Sequence, residues 1–357
     1  MVSFALSRDG ATLATGSEDD ERSVVLWDVR TGESRRSIDV EGGVGIADSL
    51  ARGLAFSADG RLLGFNYDTS SVGAVVVATG RLVLEASTGT GQDSAPSWVF
   101  ADDGSEVLVA GASAACPDAM GVLFAVAPPH ETRCVTGRVG ESIVSAVAVR
   151  DGRAHVVSVR ALLSRDVAAG ALMATELEGA PLLDGIPSPS HRFVAIGHPS
   201  PRNDAVFLYE VDSQRRIHAS VVPFLTGFSF ARADETRWAA VSAEPGRRGG
   251  VVLLRGGAQT GRISGPLEPH DLQFADGLPF AFSPDGARTV VLRPGGRLER
   301  AGEVWARVPG ARGLAWPLLG VVIALGPDVL VFLDADSGEV LRTYRRARIE
   351  GTTAAPP

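Results

Sequence analysis

The dipeptide Asp-Gly recurs along this chain, each time between two short apolar runs. It occurs at Asp9-Gly10, Asp59-Gly60, Asp103-Gly104, Asp151-Gly152 and Asp285-Gly286. Asp-Gly between apolar runs is typical of a tight β-hairpin, because glycine accepts the positive φ that such turns need. The first four copies are 50, 44 and 48 residues apart, which is too long for one hairpin and suits a four-stranded unit. The pattern therefore predicts an all-β chain built from repeated units.

The first unit shows its four strands most clearly. Phe4-Ala5-Leu6 precedes the Asp-Gly turn, and Thr12 to Thr15 follows it with alternating polarity. Val24 to Val29 forms a third run, and after the turn at Thr31-Gly32 the stretch Glu33 to Ile38 is more polar. We expect four antiparallel strands, named a to d, with the apolar strand a innermost and the polar strand d outermost.

The same order of runs predicts eight units. Strand a of six further units is expected at Leu54-Ala55-Phe56, Trp98-Val99-Phe100, Ala146 to Val149, Phe228-Ser229-Phe230, Phe280-Ala281-Phe282 and Leu314-Ala315-Trp316. In the fifth unit the turn Ser188-Pro189-Ser190-His191 has lost its glycine, while Val206 to Val211 matches Val24 to Val29 in the first unit. The eighth unit starts only 34 residues after the seventh, so seven units are the alternative.

A closed ring of such units is a β-propeller, whose four-stranded blades contact only their neighbours. A single domain can then contain most of a chain of 357 residues. The fold class expected is all-β, a single eight-bladed propeller over residues 1–347. Residues 348–357 are expected to form a flexible C-terminal tail.

Two motifs resemble the WD-repeat β-propeller family. Trp27-Asp28 is followed by Thr31-Gly32, and a Ser-Pro-Asp-Gly turn occupies Ser283 to Gly286. The positions equivalent to Trp27-Asp28 read Tyr209-Glu210 and Leu333-Asp334 in two other units. The resemblance covers essentially the whole chain and implies a rigid platform that binds proteins or peptides. Propellers similar to the periplasmic TolB type, which have the same Asp-Gly turns, are the alternative.

Composition and missing motifs argue against most catalytic chemistries. All 34 basic residues are arginine, which removes Schiff-base lysines, Ser-Lys dyads and the phosphate-loop lysine. Neither a Gly-x-Ser-x-Gly elbow nor a His-Glu-x-x-His helix is present in the sequence. His191 and His198 are seven residues apart along a strand, so their side chains point to opposite faces. We expect no enzymatic activity, no cofactor and no metal.

Charge and hydropathy suggest where the protein works. A net charge of −8 argues against broad binding to nucleic acid. The longest uncharged run, Gly313 to Pro327, has 15 residues, fewer than the roughly 20 that a membrane helix needs, and no secretory leader is visible. We interpret Cys116 and Cys134 as incidental core or loop thiols rather than a disulfide framework. A cytoplasmic protein without nucleic-acid or membrane partners is expected.

The predicted binding surface is the end of the ring that carries the b-to-c and d-to-a connections, which we call the loop rim. Loops on a rigid scaffold often carry recognition. Acidic residues dominate this rim in the first three units, and arginines in the fifth and sixth; the candidates are Glu18, Asp19, Asp20, Glu21, Asp68, Arg202, Arg247 and Arg248, with Glu41, Asp48, Asp93 and Asp118 as further acidic members.

Two functions follow as hypotheses. The first is a non-catalytic scaffold that binds a protein or peptide between the acidic and basic parts of the loop rim. The alternative is an enzyme or small-molecule binder that uses the central funnel, for which several carboxylates or histidines should converge near the axis. Ordinary solvated loops would explain the acidic stretch without any function.

Overall fold

A computed structural model shows eight separate antiparallel sheets of four strands each. It describes residues 3–16, 23–39, 52–66, 71–87, 97–113, 115–138, 141–177, 183–198, 205–221, 225–232, 234–243, 249–255, 258–264, 267 and 278–345. Every sheet holds four consecutive strands in the order a, b, c, d. The prediction of an all-β propeller with eight blades is confirmed.

The first four blades contain β1 to β16. Blade 1 has β1 (Ser3–Leu6), β2 (Thr12–Gly16), β3 (Ser23–Asp28) and β4 (Ser34–Asp39). Blade 2 has β5 (Arg52–Phe56), β6 (Leu62–Asn66), β7 (Ser71–Val76) and β8 (Leu82–Ser87). Blade 3 has β9 (Trp98–Phe100), β10 (Glu106–Ala110), β11 (Ala119–Ala125) and β12 (Thr132–Thr136). Blade 4 has β13 (Ile143–Arg150), β14 (Arg153–Ser158), β15 (Ala161–Asp166) and β16 (Leu172–Glu176).

The last four blades contain β17 to β32. Blade 5 has β17 (Leu183–Pro187), β18 (Phe193–His198), β19 (Ala205–Glu210) and β20 (Arg216–Val221). Blade 6 has β21 (Leu225–Phe230), β22 (Arg237–Ala243), β23 (Gly249–Arg255) and β24 (Ala258–Ser264). Blade 7 has β25 (Phe280–Phe282), β26 (Thr289–Arg293), β27 (Arg297–Arg300) and β28 (Glu303–Arg307). Blade 8 has β29 (Gly313–Leu318), β30 (Val321–Leu325), β31 (Val329–Asp334) and β32 (Val340–Arg345).

Strand a is innermost and strand d outermost in this ring. The a strands of neighbouring blades contact one another: β1 contacts β5, and β9 contacts β13. Ala101, next to β9, forms a parallel bridge with Val149 of β13. Outer strands such as β12 and β32 are mostly exposed. The expectation of an apolar inner strand and a polar outer strand is therefore confirmed.

Among the described residues, the hydrophobic core forms eight clusters, one between each pair of neighbouring blades. In the cluster between blades 2 and 3, for example, Val72 and Leu84 pack against Val107 and Val122. The cluster that joins blade 8 to blade 1 contains Leu13 and Phe332. Because each cluster spans two blades, burial of apolar surface holds the blades to each other.

The ring closes without an exchanged strand in the part of the chain that the structure describes. Tyr344 of β32 donates to the carbonyl of Gly32 at 2.7 Å, and Arg342 Nη2 lies 2.8 Å from Oε1 of Glu33. The Trp27 ring packs on Tyr344 with the centroids 4.4 Å apart. Blades 8 and 1 are thus joined by side-chain packing and polar contacts.

The two ends of the ring differ in their connections. The a-to-b and c-to-d turns lie at one end, which we call the turn face, and the b-to-c and d-to-a connections lie at the loop rim. In the five Asp-Gly turns, Gly10, Gly60, Gly104, Gly152 and Gly286 have φ between 67° and 71°. Their positive φ confirms the prediction that these dipeptides form turns.

The interpretation of the two cysteines as incidental thiols is wrong in this structure. Cys116 and Cys134 form a disulfide with their Cα atoms 5.6 Å apart. Cys134 lies on the outer strand β12, and the connection between β10 and β11 brings Cys116 back toward that strand. The contact depends on how the blade folds, so a separation of 18 residues did not indicate it.

Candidate functional site

The predicted loop-rim residues lie outside the residues that the structure describes. They are Glu18, Asp19, Asp20, Glu21, Asp68, Arg202, Arg247 and Arg248, and the same holds for Glu41, Asp48 and Asp93. Asp118 is described and is exposed between β10 and β11. The loop rim stays a prediction, and the described polar side chains that converge lie at the turn face.

Three turns of the turn face are built alike. In blade 1, Ser7 Oγ donates to Asp9 Oδ1 at 2.6 Å and accepts from the Thr12 amide at 2.9 Å. The Ala11 amide also donates to Asp9 Oδ1 at 2.9 Å. The hydrogen bond from Ser7, followed by that from Ala11, lowers the pKa of Asp9 below its usual value. We call this arrangement, found also in blades 2 and 7 around Ser57-Asp59 and Ser283-Asp285, a self-contained turn.

The turn of blade 5 receives its carboxylate from another blade. Ser188 occupies the place of Ser7, but Ser190 replaces the aspartate. Glu235 of blade 6 supplies the missing acceptor: Ser188 Oγ donates to its Oε2 at 2.8 Å, and the Ser190 amide and hydroxyl donate to Oε1 and Oε2 at 2.6 and 2.5 Å. One carboxylate thereby joins two blades.

His191 occupies the glycine position of the same turn. Its φ is +57°, a conformation that costs a residue with a Cβ roughly 1–2 kcal/mol. Nδ1 of its ring lies 3.0 Å from Oδ1 of Asp102 in blade 3, so this contact joins blade 5 to a blade that is not its direct neighbour. A proton on Nδ1 makes His191 the donor in this contact.

Arg150, at the end of β13, lies among three carboxylates. Its Nε is 3.2 Å from Asp212, 3.8 Å from Asp102 and 3.9 Å from Asp151, and Nη1 donates to the Ser190 carbonyl at 3.3 Å. We call the residues Asp102, Arg150, Ser188, Ser190, His191, Asp212 and Glu235 the cross-blade cluster. Asp151, the third carboxylate near Arg150, is exposed beside this cluster.

A simpler contact between two blades lies on another side of the ring. Arg232 of blade 6 donates from Nη1 to the Ser7 carbonyl of blade 1 at 2.9 Å. Beside it lies a cavity of about 50 Å³, lined mainly by the a strands of blades 6, 7 and 8. A drug-sized ligand needs roughly 300 Å³ or more, so this cavity suits a few water molecules.

A buried histidine lies on the strand that follows Arg150. His155 of β14 has no exposed surface, and neither ring nitrogen has a hydrogen-bond partner. Burial is the main cause that lowers its pKa to about 4, and the positive charges of Arg153 and Arg150 act in the same direction. His155 is therefore neutral at pH 7.

The residues around His191 stand out in the sequence, whereas their contacts do not. The loss of glycine at Ser188 to His191 was a visible signal that this turn differs. His191 and Asp102 are 89 residues apart, and Ser190 and Glu235 are 45 apart. Such pairs meet only because the ring brings the inner ends of several blades together.

Comparison with known proteins supports the fold. No protein-family model matches the sequence, and no curated protein resembles it significantly. Among solved structures, the Cps50 (Swd1) β-propeller domain of Myceliophteria thermophila is similar over 97% of both chains, with 12% identity and a TM-score of 0.57. The RRP9 WD40 repeats are similar over 81% of this chain and 85% of that one, with 12% identity and a TM-score of 0.54. These likenesses show that the chain has a β-propeller fold, the fold of the WD40-repeat domains.

The same fold also occurs in enzymes. The dihydro-heme d1 dehydrogenase NirN, solved in complex with DHE, is similar over 95% of this chain and 74% of that one, with 17% identity and a TM-score of 0.59. Identities this low establish the architecture alone. Within the described ranges, no three His, Cys, Asp or Glu side chains are grouped as metal ligands, and no helix is long and apolar enough to cross a membrane.

Proposed function

We propose that this chain is a non-catalytic scaffold that binds a protein or peptide at its loop rim. The observation that carries the proposal is the eight-bladed ring, whose fold is that of WD40-repeat domains. The strands on either side of each charged connection are described, and their ends place these connections at the loop rim. Glu18 to Glu21 and Asp68 belong to blades 1 and 2, whereas Arg202, Arg247 and Arg248 belong to blades 5 and 6. Opposite charges on separate blades would orient a polar partner.

A cytoplasmic location, without nucleic-acid or membrane partners, belongs to the same proposal. So does the division into a propeller at 1–347 and a flexible tail at 348–357. Cell fractionation of the tagged full chain checks the location. Recovery in a membrane or extracellular fraction would contradict it.

Charge reversal tests the binding surface. Glu18, Asp19, Asp20 and Glu21 are replaced together by arginine, and proteins captured from the source cell extract are identified by mass spectrometry. We expect these substitutions to abolish most of the capture and to weaken its salt dependence. The fold should persist, because exposed substitutions usually change stability by less than about 0.5 kcal/mol each.

A matched control reverses four exposed glutamates that lie on outer strands or turns, outside the connections of the loop rim: Glu85, Glu131, Glu303 and Glu339. The control changes the net charge by the same amount but leaves the loop-rim connections unchanged. It should therefore retain the captured proteins. Equal loss in both variants, or loss only in the control, would overturn the choice of surface.

The cross-blade cluster supports the second hypothesis, a small-molecule binder at the central funnel. Carboxylates and a histidine do converge at the turn face. Their partners are nevertheless found within the cluster itself, as with Arg150 and Asp212 or His191 and Asp102, which favours a structural role. A small molecule that stays with the wild-type protein in native mass spectrometry and is lost from His191→Ala would reverse this preference.

A further inference from the structure

The disulfide of blade 3 joins an outer strand to a connection at the loop rim. Cys134 is exposed on β12, whereas Cys116 has only 3% of its surface exposed. Cys116 packs in the apolar cluster between blades 2 and 3. The bond therefore has one accessible end and one buried end.

Cys116 is the main anchor of that connection. Among its described residues, 111–113 and 115–118, only Ser113 and Cys116 are buried. These two bind each other, through two backbone hydrogen bonds of 3.0 and 3.1 Å and through Ser113 Oγ, which accepts from the Cys116 amide at 3.1 Å. The other backbone bonds run from Gly111 to Met120 and from Gly137 to Asp118 at the ends of the connection, and from the Ala119 amide to the Cys116 carbonyl at 3.2 Å. The disulfide is thus the contact that ties the middle of the connection, around Cys116, to β12.

We propose that Cys116 and Cys134 form a reversible thiol–disulfide exchange site, whose substrate is a dithiol reductant and whose state fixes or releases this connection. One thiolate of the reductant attacks Sγ of Cys134, the disulfide breaks, and the electron pair leaves on Sγ of Cys116, which takes up a proton. The second thiol of the reductant resolves the mixed disulfide and releases Cys134 as a thiol. Two electrons and two protons pass to the protein, and the dithiol becomes a disulfide.

The role as a switch follows from the location proposed above, on which it rests. In a reducing cytoplasm, disulfides are usually transient and redox-sensing rather than permanent. Asp118, one of the acidic loop-rim residues, lies two positions after Cys116. Oxidation would fix the backbone that precedes this carboxylate on the proposed binding surface, and reduction would leave it held only from its other side, where the Gly137 amide donates to the Asp118 carbonyl.

The test compares the oxidised full-length protein with the same protein reduced by dithiothreitol under native conditions. Free thiols are counted by iodoacetamide labelling and mass spectrometry, and backbone opening is followed by amide hydrogen exchange. We expect two thiols after reduction, with Cys134 labelled faster than Cys116 because it is exposed. Exchange in 111–118 should become at least about tenfold faster, while the turns of blades 1 and 7 stay unchanged.

The variant Cys134→Ser serves as the control, and it should exchange rapidly at 111–118 with or without dithiothreitol. Resistance of the bond to excess dithiothreitol in the native state would overturn the proposal. So would unchanged exchange after reduction, or faster exchange in all blades, which would indicate a structural staple. These measurements need no partner, so a failure of the charge-reversal experiment would refute the loop-rim function without affecting them.

Discussion

The turn serines find a carboxylate acceptor within their own blade in blades 1, 2 and 7, whereas in the cross-blade cluster the acceptor comes from another blade. In a self-contained turn, a serine and an aspartate of one blade bind each other and the neighbouring amides. In the cross-blade cluster, Glu235 serves the turn of blade 5, and Asp102 of blade 3 binds His191. The first arrangement stabilises a single hairpin, whereas the second stabilises the position of one blade relative to others.

The largest difference should come from removing a carboxylate from each arrangement. Glu235→Ala leaves two serine hydroxyls and one amide without their acceptor, and one of these serines, Ser188, is buried. We expect a loss of about 3 kcal/mol, since hydrogen bonds to charged groups are worth roughly 1.5–3 kcal/mol and buried unpaired groups add a cost. Urea unfolding measures this change.

Asp59→Ala is the matched variant in a self-contained turn. Asp59 accepts from Ser57 Oγ and from the Arg61 amide, and both donors lie in its own hairpin. A loss of about 1 kcal/mol is expected, with faster hydrogen exchange limited to blade 2. If Asp59→Ala costs as much as Glu235→Ala, the two arrangements do not differ in the way described.

Acid should weaken the cluster side of the ring through His155. Its pKa is about 4 in the folded protein and about 6.5 when unfolded, so the unfolded chain binds more protons between these values. The contribution of neutral His155 to the free energy of unfolding is therefore complete above about pH 6.5 and is lost as the pH falls toward 4. The contribution lost between pH 7.5 and pH 5 is about 2 kcal/mol.

The variant His155→Leu isolates this effect, because leucine cannot bind a proton. Its free energy of unfolding should fall less than that of the wild type over the same pH interval, by about 2 kcal/mol. His218, whose pKa is also lowered by burial, is present in both proteins and cancels in the comparison. Equal pH dependence in the two proteins would show that His155 does not stay neutral when folded.

The smallest expected effect concerns position 191. His191→Gly relieves the positive φ but loses the contact with Asp102, so the change in stability should lie within about 0.5 kcal/mol. His191→Ala loses the contact without that relief and should cost about 1 kcal/mol. Thermal unfolding of both variants distinguishes them, and a glycine variant less stable than the alanine variant would disprove the compensation.

Gly60→Ala provides the reference in a self-contained turn. An added Cβ at Gly60 meets no atom within 4 Å, so the positive φ alone sets the cost, about 1 kcal/mol. Gly60→Ala thus measures the cost of a positive φ for a residue with a Cβ, without a change in packing.

The sequence was most informative where structure is local. Alternating polarity and Asp-Gly pairs predicted the strands, the turns and the eight blades, because hairpins form between segments that are close along the chain. Even the odd turn at Ser188 to His191 was visible as a missing glycine.

Contacts between distant segments were not predictable in the same way. Glu235 reads as one acidic residue in a polar turn, and only the ring places it beside Ser188. Cys116 and Cys134 likewise lack any pattern that specifies pairing. The loop-rim residues Glu18 to Glu21 rest on the sequence alone, since the described residues do not include them.

The way in which blades 8 and 1 meet also bears on how such a chain can change over evolutionary time. Where a propeller is closed by a strand from each terminus, the first and last units are interdependent. Here each described sheet is complete within one stretch of chain, and an apolar cluster joins blades 8 and 1 as it does the other neighbouring blades. A gene for this ring can therefore be duplicated, shortened or circularly permuted at blade boundaries without splitting any sheet.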